Sequence, residues 1–161
     1  MLHVNARAII ERETASGKEI LLQTRDKPHE GGTSLELPGG RVEEFESLLD
    51  AVKREVLEET GLKITSIEGA SSKVNARTAD TDVECLQPFA AYQTTKGPVD
   101  SMGVYFLCRA EGDLLTHGHD TLNPHWVTVD QLAAWMQQQP ERFSWIDRAG
   151  LLFYLKQGRI Y

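Results

Sequence analysis

Residues 40–62 read GRVEEFESLLDAVKREVLEETGL, and the interpretation of the whole chain starts from this stretch. At about 100° per residue, its apolar side chains fall on one side of a helix, which predicts a helix over residues 45–60. The predicted core-facing stripe consists of Phe45, Leu49, Val52 and Val56. Gly61 follows at the position where a glycine commonly ends a helix in the left-handed conformation.

Three glutamates lie beside this stripe. Glu55, Glu58 and Glu59 stand at positions i, i+3 and i+4, the spacing at which side chains on one helix face touch. Like charges at this spacing cost roughly a few tenths of a kcal/mol per pair, and Arg54 alone cannot balance them. Mg²⁺ can, because it is commonly held by carboxylates together with substrate phosphates. The spacing leaves a solvated acidic face and a divalent-cation site as two open interpretations.

The complete stretch resembles the Nudix box, Gly-x5-Glu-x7-Arg-Glu-U-x-Glu-Glu-x-Gly-U, in which U is an aliphatic residue. The matching residues are Gly40, Glu46, Arg54, Glu55, Val56, Glu58, Glu59, Gly61 and Leu62. The preceding Leu37-Pro38-Gly39 is similar to the usual approach to the box. The resemblance implies a Nudix fold of the α/β (α+β) class, with a mixed β-sheet between helices and a loop–helix–loop catalytic motif.

The resemblance also implies a hydrolase of diphosphate bonds that uses Mg²⁺ or Mn²⁺ as its cofactor. The implied metal ligands are Glu55, Glu58, Glu59 and a backbone carbonyl of Gly40 or Gly39. Arg54 and Glu46 would form an ion pair that orients the catalytic glutamates. In this family the metal neutralises the diphosphate oxygens and lowers the pKa of a bound water.

The base that takes the proton of that water varies within the family, so two candidates stay open. One is Glu55 of the box. The other is Asp120, six residues before Trp126, because some relatives place an acid at a similar distance before a tryptophan. The alternative for Asp120 is a residue that caps a turn. Three histidines share this loop and are expected at the surface, because their spacing specifies no tetrahedral zinc site; they are His117, His119 and His125.

Apolar patterns and turn residues predict the elements on both sides of the box. Strands are expected over residues 3–10 and 19–24 and near 62–68, 83–93 and 102–110. A loop with Pro28, Gly31 and Gly32 separates the second strand from the segment SLEL, and a second loop covers 112–125. Further helices are expected near 129–138 and 144–157. The length of 161 residues fits a single domain over 1–161.

Composition narrows the choice of partners and compartment. The net charge of −7 argues against binding long nucleic acid through its phosphates. Two cysteines are too few for a disulfide framework and are interpreted as small apolar residues in a reducing compartment. We find neither a signal-peptide pattern nor an apolar run that could span a membrane. A cytoplasmic protein with a small-molecule nucleotide substrate is expected, and a homodimer is suggested only by analogy with relatives.

Residues outside the box normally select the substrate, and in this sequence they argue against several substrate classes without identifying one. Ala76 and Arg77 occupy the region where ADP-ribose pyrophosphatases carry a proline, and Gln87-Pro88-Phe89 matches only part of the motif of NADH-cleaving relatives. Leu35 replaces a tryptophan found in many relatives. By elimination, the leading hypothesis is a nucleoside triphosphate, ordinary or oxidised. The alternatives are ADP-ribose or a nucleotide sugar, and a non-catalytic ligand-binding module.

Four aromatic residues at strand spacing could stack on a nucleobase but are expected in the core. They are Phe89, Tyr92, Tyr105 and Phe106.

Overall fold

The computed structural model describes residues 1–27, 32–118 and 120–159. Its central feature is a mixed β-sheet with helices on both faces. The strands are β1 (His3–Thr14), β2 (Gly17–Lys27), β3 (Gly32–Glu36), β4 (Gly39–Arg41), β5 (Lys63–Ile67), β6 (Val74–Arg77), β7 (Asp82–Cys85), β8 (Ala90–Gln93), β9 (Ser101–Glu111) and β10 (Thr121–Thr128). The α-helices are α1 (Leu48–Thr60), α2 (Val129–Gln138) and α3 (Arg148–Tyr154), and α3 continues as a π-helical turn over Leu155–Arg159. Short 3₁₀ turns cover Ala70–Ser72 and Pro140–Arg142.

Strand β1 lies at the centre of the sheet. It pairs in parallel with β9 along one edge, while its other edge pairs antiparallel first with β4 and then with β2. The strand order is β10-β2-β1-β9-β5, with β3 added to β2 and β8 added to β9. Because β4 pairs with β1 through Gly39 and Gly40, the sheet holds the start of the box against its central strand.

Alternation along the strands divides the buried side chains between two cores. Helix α1 covers one face of the sheet with a core that includes Ala8, Ile10, Leu21, Val52, Val56 and Phe106. Helices α2 and α3 cover the other face with a core that includes Ile9, Leu22, Tyr105, Leu132, Phe143 and Leu151. The expected arrangement of a mixed sheet between helices is therefore confirmed.

The start of α1 differs from the prediction. The helix begins at Leu48, because the Ser47 side chain accepts a hydrogen bond from the Asp50 amide and caps it there. Phe45 was wrongly placed in the core stripe: its side chain is fully exposed, and its backbone lies in the left-handed region at φ 59°. Val52 and Val56 are buried as predicted, and Gly61 ends the helix at φ 81°.

Several other boundaries shift. The predicted strand over 83–93 is two strands, β7 and β8, and β7 forms a separate two-stranded sheet with β6, which was not predicted. The predicted loop over 112–125 ends early, because β10 begins at Thr121 and pairs with β2. The last helix, expected over 144–157, starts at Arg148. Pro28 and Gly31 lie outside the described residues.

The predictions for the aromatic and cysteine side chains hold in part. Tyr105 and Phe106 are buried in the core, and Phe89 and Tyr92 pack against it. Cys108 is buried, which raises the pKa of its thiol to about 12, whereas Cys85 is exposed and does not fit the expectation of a small apolar core residue. Among the helices of the described ranges, none has the length and hydrophobicity needed to cross a membrane.

Replacing Phe45 with glycine should stabilise the protein by roughly 0.5 to 1 kcal/mol. A non-glycine residue in the left-handed conformation costs roughly 1–2 kcal/mol of folding free energy, and glycine avoids this cost. Part of the gain is lost, because glycine has more conformational entropy in the unfolded state. The phenyl ring is fully exposed, so removing it loses no buried surface. Urea denaturation measures the change. Phe45→Ala is the matched control, since it removes the ring but keeps Cβ and should give no gain. A destabilised glycine variant would show that the ring packs on something.

Candidate active site

A buried carboxylate joins α1 to the turn that precedes it. Glu59 is 7% exposed; its Oε1 accepts a hydrogen bond from the Gly39 amide at 2.8 Å and its Oε2 accepts one from Gln23 Nε2 at 3.1 Å. Burial raises the pKa of Glu59 to about 8, and the neighbouring Glu36 and Glu55 carboxylates add to the rise, although the Gly39 bond opposes it. At Glu59, burial and the neighbouring carboxylates thus outweigh the Gly39 hydrogen bond and the positive charge of Arg7.

Glycine is what lets the turn approach so closely. A Cβ on Gly39 would lie 2.5 Å from the Ala6 carbonyl oxygen and from the Arg7 Cα, and its φ of 146° disfavours other residues. A Cβ on Gly40 would lie 2.7 Å from the carboxyl carbon of Glu55. The two glycines thus bring backbone against both the central strand and the acidic face of α1.

Arg54 is the cation among the remaining carboxylates of the box. Its Nε and Nη2 donate to the two oxygens of Glu46 at 2.8 and 2.9 Å, so the predicted ion pair is present and bidentate. These bonds lower the pKa of Glu46 to about 2. The Nη1 of Arg54 lies 2.9 Å from Glu55 and 3.4 Å from Glu58. Burial nevertheless raises the pKa of Glu55.

The three glutamates predicted as metal ligands lie on one face of α1, but their side chains have different partners. Glu55 and Glu58 turn towards Arg54, whereas Glu59 turns towards Gly39. In the described ranges, no three Asp, Glu, His or Cys side chains converge on one point. The donor set still suits a hard divalent cation, because it consists of carboxylate oxygens, carries more negative than positive charge and borders the Gly39–Gly40 turn.

The downstream loop lies against the C-terminal end of α1. The Thr121 hydroxyl donates to the Glu59 carbonyl at 3.4 Å, and the preceding Asp120 is an exposed residue at φ 57°. His117 is exposed, as expected, and bonds Thr116 through Nδ1 at 3.2 Å. His125 lies in β10, half-buried, with Nδ1 2.8 Å from the Asn123 carbonyl. His119 lies outside the described residues.

A cavity of about 350 Å³ opens beside the glycine turn. Gly40 lines this cavity, and a Cβ added to it would meet the Glu55 carboxylate, so the turn lies between the cavity and the carboxylates of α1. Basic side chains of His3, Arg25 and Arg41 contribute to its walls, together with the 40% exposed ring of Trp145. The cavity therefore combines positive charge with a flat aromatic surface. Sequence reasoning did not identify it, because its walls come from distant parts of the chain.

Buried polar residues around the turn were also missed. Gln23 donates to both Glu36 and Glu59, at 3.2 and 3.1 Å, and Glu36 is only 2% exposed. Burial raises the pKa of Glu36. Arg7 is 5% exposed within β1, and Asp147 is fully buried. The available signal was a charged residue inside an apolar strand pattern, as at Arg7 in HVNARAII, because such residues are rarely buried without a partner.

Comparison with known proteins agrees with this architecture. The NUDIX domain family matches residues 1–148. The Bacillus subtilis (strain 168) protein YtkD, provisionally named an 8-oxo-dGTP diphosphatase, is 34% identical over 91 residues, which are 52% of this chain and 54% of that protein. The chain thus matches about half the length of this relative.

Solved structures share the fold. A MutT structure from a study of Aliivibrio salmonicida and Vibrio cholerae has a TM-score of 0.61 at 21% identity and covers 98% of this chain and 99% of its own. A Jonesia denitrificans protein, provisionally described as an asymmetric diadenosine tetraphosphate hydrolase, has a TM-score of 0.69 at 18% identity and covers 100% and 98%. At these identities the likeness shows the fold alone.

Alanine at the two glycines should separate folding from the geometry of the site. The free energy of unfolding of Gly40→Ala should lie within about 1 kcal/mol of the parent value, because the Glu55 carboxyl is the end of a flexible side chain and can move aside. The displaced carboxylate should weaken Mn²⁺ binding about tenfold. Gly39→Ala should lose about 3 kcal/mol or more, because its Cβ would meet the backbone. Denaturation and Mn²⁺ titration by electron paramagnetic resonance test both. Equal destabilisation of the two variants would contradict this geometry.

Proposed function

The chain belongs to the Nudix family, and from this premise we propose that it is a metal-dependent hydrolase of diphosphate bonds in nucleotides. The proposed substrates are nucleoside triphosphates, ordinary or oxidised. The observation that carries the proposal is the Gly39–Gly40 turn, which has the α1 carboxylates on one side and a cation-lined cavity on the other. A diphosphate held across this turn would reach both.

The metal site we propose consists of Glu55, Glu58, Glu59 and a carbonyl of Gly39 or Gly40, with Mg²⁺ or Mn²⁺ as the cofactor. When bound, the cation supplies charge neutralisation of the diphosphate and a water of lowered pKa. Arg54 stays on Glu46 through two hydrogen bonds and fixes the side of α1 from which Glu55 and Glu58 project. Glu55 or Asp120 accepts the proton of the attacking water.

The cavity supports a nucleotide as the substrate. Arg41 contributes a guanidinium group for phosphate oxygens, Arg25 contributes a second that lies 3.6 Å from Glu36, and His3 adds a further polar group. The Trp145 ring offers a surface on which a nucleobase can stack. The name of the partial relative YtkD supports an oxidised purine triphosphate in particular. We further propose that residues 1–161 act as a single Nudix domain.

Turnover of a substrate panel, with Glu59→Gln as the diagnostic variant, tests the proposed function. The panel holds nucleoside di- and triphosphates, 8-oxo-dGTP, ADP-ribose, nucleotide sugars and dinucleoside polyphosphates, assayed with Mg²⁺ and with Mn²⁺. We expect release of pyrophosphate or phosphate from triphosphates. Glu59→Gln should lower kcat at least about a hundredfold while leaving the protein folded, because it removes a proposed ligand carboxylate of a cation that contributes several kcal/mol to catalysis.

Glu44→Gln is the matched control, since Glu44 is an exposed glutamate of the same segment outside the proposed site. It should turn over like the parent. A Glu59→Gln enzyme that kept most of its activity would remove Glu59 from the metal site. A parent protein that hydrolysed nothing in the panel would leave the ligand-binding module as the function.

Replacing Asp120 with asparagine tests the two candidates for the base. Asparagine tolerates the left-handed backbone of this position, so the loop should keep its conformation. If Asp120 is the base, the rate at saturating substrate should fall about tenfold or more. A near-normal rate would remove Asp120 as the base, return it to a turn-capping role and leave Glu55 as the remaining candidate.

A further inference from the structure

A carboxylate far from the box in sequence reaches the turn that leads into it. Asp147 is fully buried, and its Oδ2 accepts a hydrogen bond from the Leu37 amide at 2.9 Å. Its Oδ1 accepts a hydrogen bond from the Tyr105 hydroxyl at 2.8 Å, and Arg7 Nη1 lies 3.6 Å from Oδ2. Asp147 is 110 residues from Leu37 in sequence, and nothing in the box spacing points to it.

The carboxylate is not needed by its own helix. Asp147 stands at the start of α3, yet its side chain makes no capping hydrogen bond to that helix. Burying a carboxylate is strongly unfavourable unless opposite charge and hydrogen-bond donors compensate it. Here the compensation comes from Arg7 and from two hydrogen bonds, one of which is made by the turn. The charge at Asp147 therefore acts on the turn and not on α3.

The turn is held from both faces of the sheet. Asp147, from the α3 side, binds the Leu37 amide, and Glu59, from α1, binds the Gly39 amide. Arg7 donates to the Leu37 carbonyl at 3.3 Å, so the same residue receives contacts from both members of the buried pair. Only Pro38 lies between the two anchored residues, and its carbonyl accepts a hydrogen bond from the Ala8 amide.

We propose that Asp147, neutralised by Arg7, is a positioning residue that holds the Leu37–Gly40 turn in register with the α1 carboxylates. This inference rests on the proposed function, because the turn supplies the backbone carbonyl of the proposed metal site. Displacement of a reacting or binding group by about 1 Å can cost about a hundredfold in rate. Mutation of residues that do not bind a metal but orient its ligands commonly lowers metal affinity or activity by about ten- to a hundredfold.

The test compares Asp147→Asn with Tyr105→Phe. The first keeps an acceptor for the Leu37 amide but removes the negative charge 3.6 Å from Arg7. The second removes the other hydrogen bond to the same carboxylate and makes no change at the turn. Each is measured for Mn²⁺ affinity by electron paramagnetic resonance, for the shift of Tm on adding Mn²⁺, and for kcat and KM on the best substrate of the panel.

We expect Asp147→Asn to weaken Mn²⁺ binding about tenfold and to lower kcat about tenfold or more, with KM changed less than about twofold. Tyr105→Phe should bind Mn²⁺ within about twofold of the parent, even where its Tm falls. Arg7→Lys, which keeps the charge beside Asp147 but loses the planar fork that reaches Leu37, should give a smaller loss of Mn²⁺ affinity. If Asp147→Asn does not fold, Asp147→Glu carries the test, because it keeps the charge but moves the carboxylate away from its place beside the Leu37 amide; parental Mn²⁺ affinity in that variant would overturn the proposal.

An Asp147→Asn protein that is less stable but binds Mn²⁺ and turns over like the parent would show a purely structural role and overturn the inference. A parent that binds Mn²⁺ but hydrolyses no compound would defeat the proposed function alone, because the comparison of Mn²⁺ affinities would still decide the role of Asp147. The two failures are therefore distinguishable.

Discussion

The hydrogen bond from the Gly39 amide to the Glu59 carboxylate, at 2.8 Å, is the contact on which the geometry of the site depends. It requires a carboxylate that is nearly buried, and burial of such a group is unfavourable unless donors surround it. Gln23 supplies the second donor from β2. The turn can reach the carboxylate because Gly39 has no Cβ and pairs directly with Arg7 of the central strand. Helix, turn and sheet are thereby fixed relative to one another at a single point.

The charges around this point are arranged unevenly. Arg54 commits two of its nitrogens to Glu46, and only Nη1 is shared between Glu55 and Glu58. A cation that draws Glu55 away from Nη1 therefore leaves the bidentate pair with Glu46 intact. On the inner side, Glu36 and Glu59 share the amide of Gln23 and have raised pKa values. The raised pKa values show that burial of these two carboxylates is incompletely compensated, which is a condition that the proposed cation site would require.

Sequence patterns correctly predicted those features of the site that depend on residues close together in the chain. The i, i+3, i+4 spacing placed three glutamates on one face of α1, and Gly61 ends the helix as expected, because both depend on residues within one or two turns. Phe45 was misplaced because helical periodicity does not show that Ser47 caps the helix or that the residue adopts a left-handed backbone. The contact of Asp147 with Leu37 and the position of Trp145 beside the glycine turn arise from packing between distant segments, which leaves no periodic trace in the sequence.

The cavity walls and the acidic helix come from separate parts of the chain, with the glycine turn as the partition between them. His3 belongs to the first strand and Trp145 precedes the last helix, whereas the described lining of the cavity includes no residue of α1. The two sides are joined where Arg54 donates a hydrogen bond to the Arg41 carbonyl and where Arg25 lies 3.6 Å from Glu36, so the other wall positions are the ones to change when the acidic helix is to stay undisturbed. A library that randomises the partly exposed wall positions, with the acidic helix held constant, is the natural starting point for directing this scaffold towards a new leaving group.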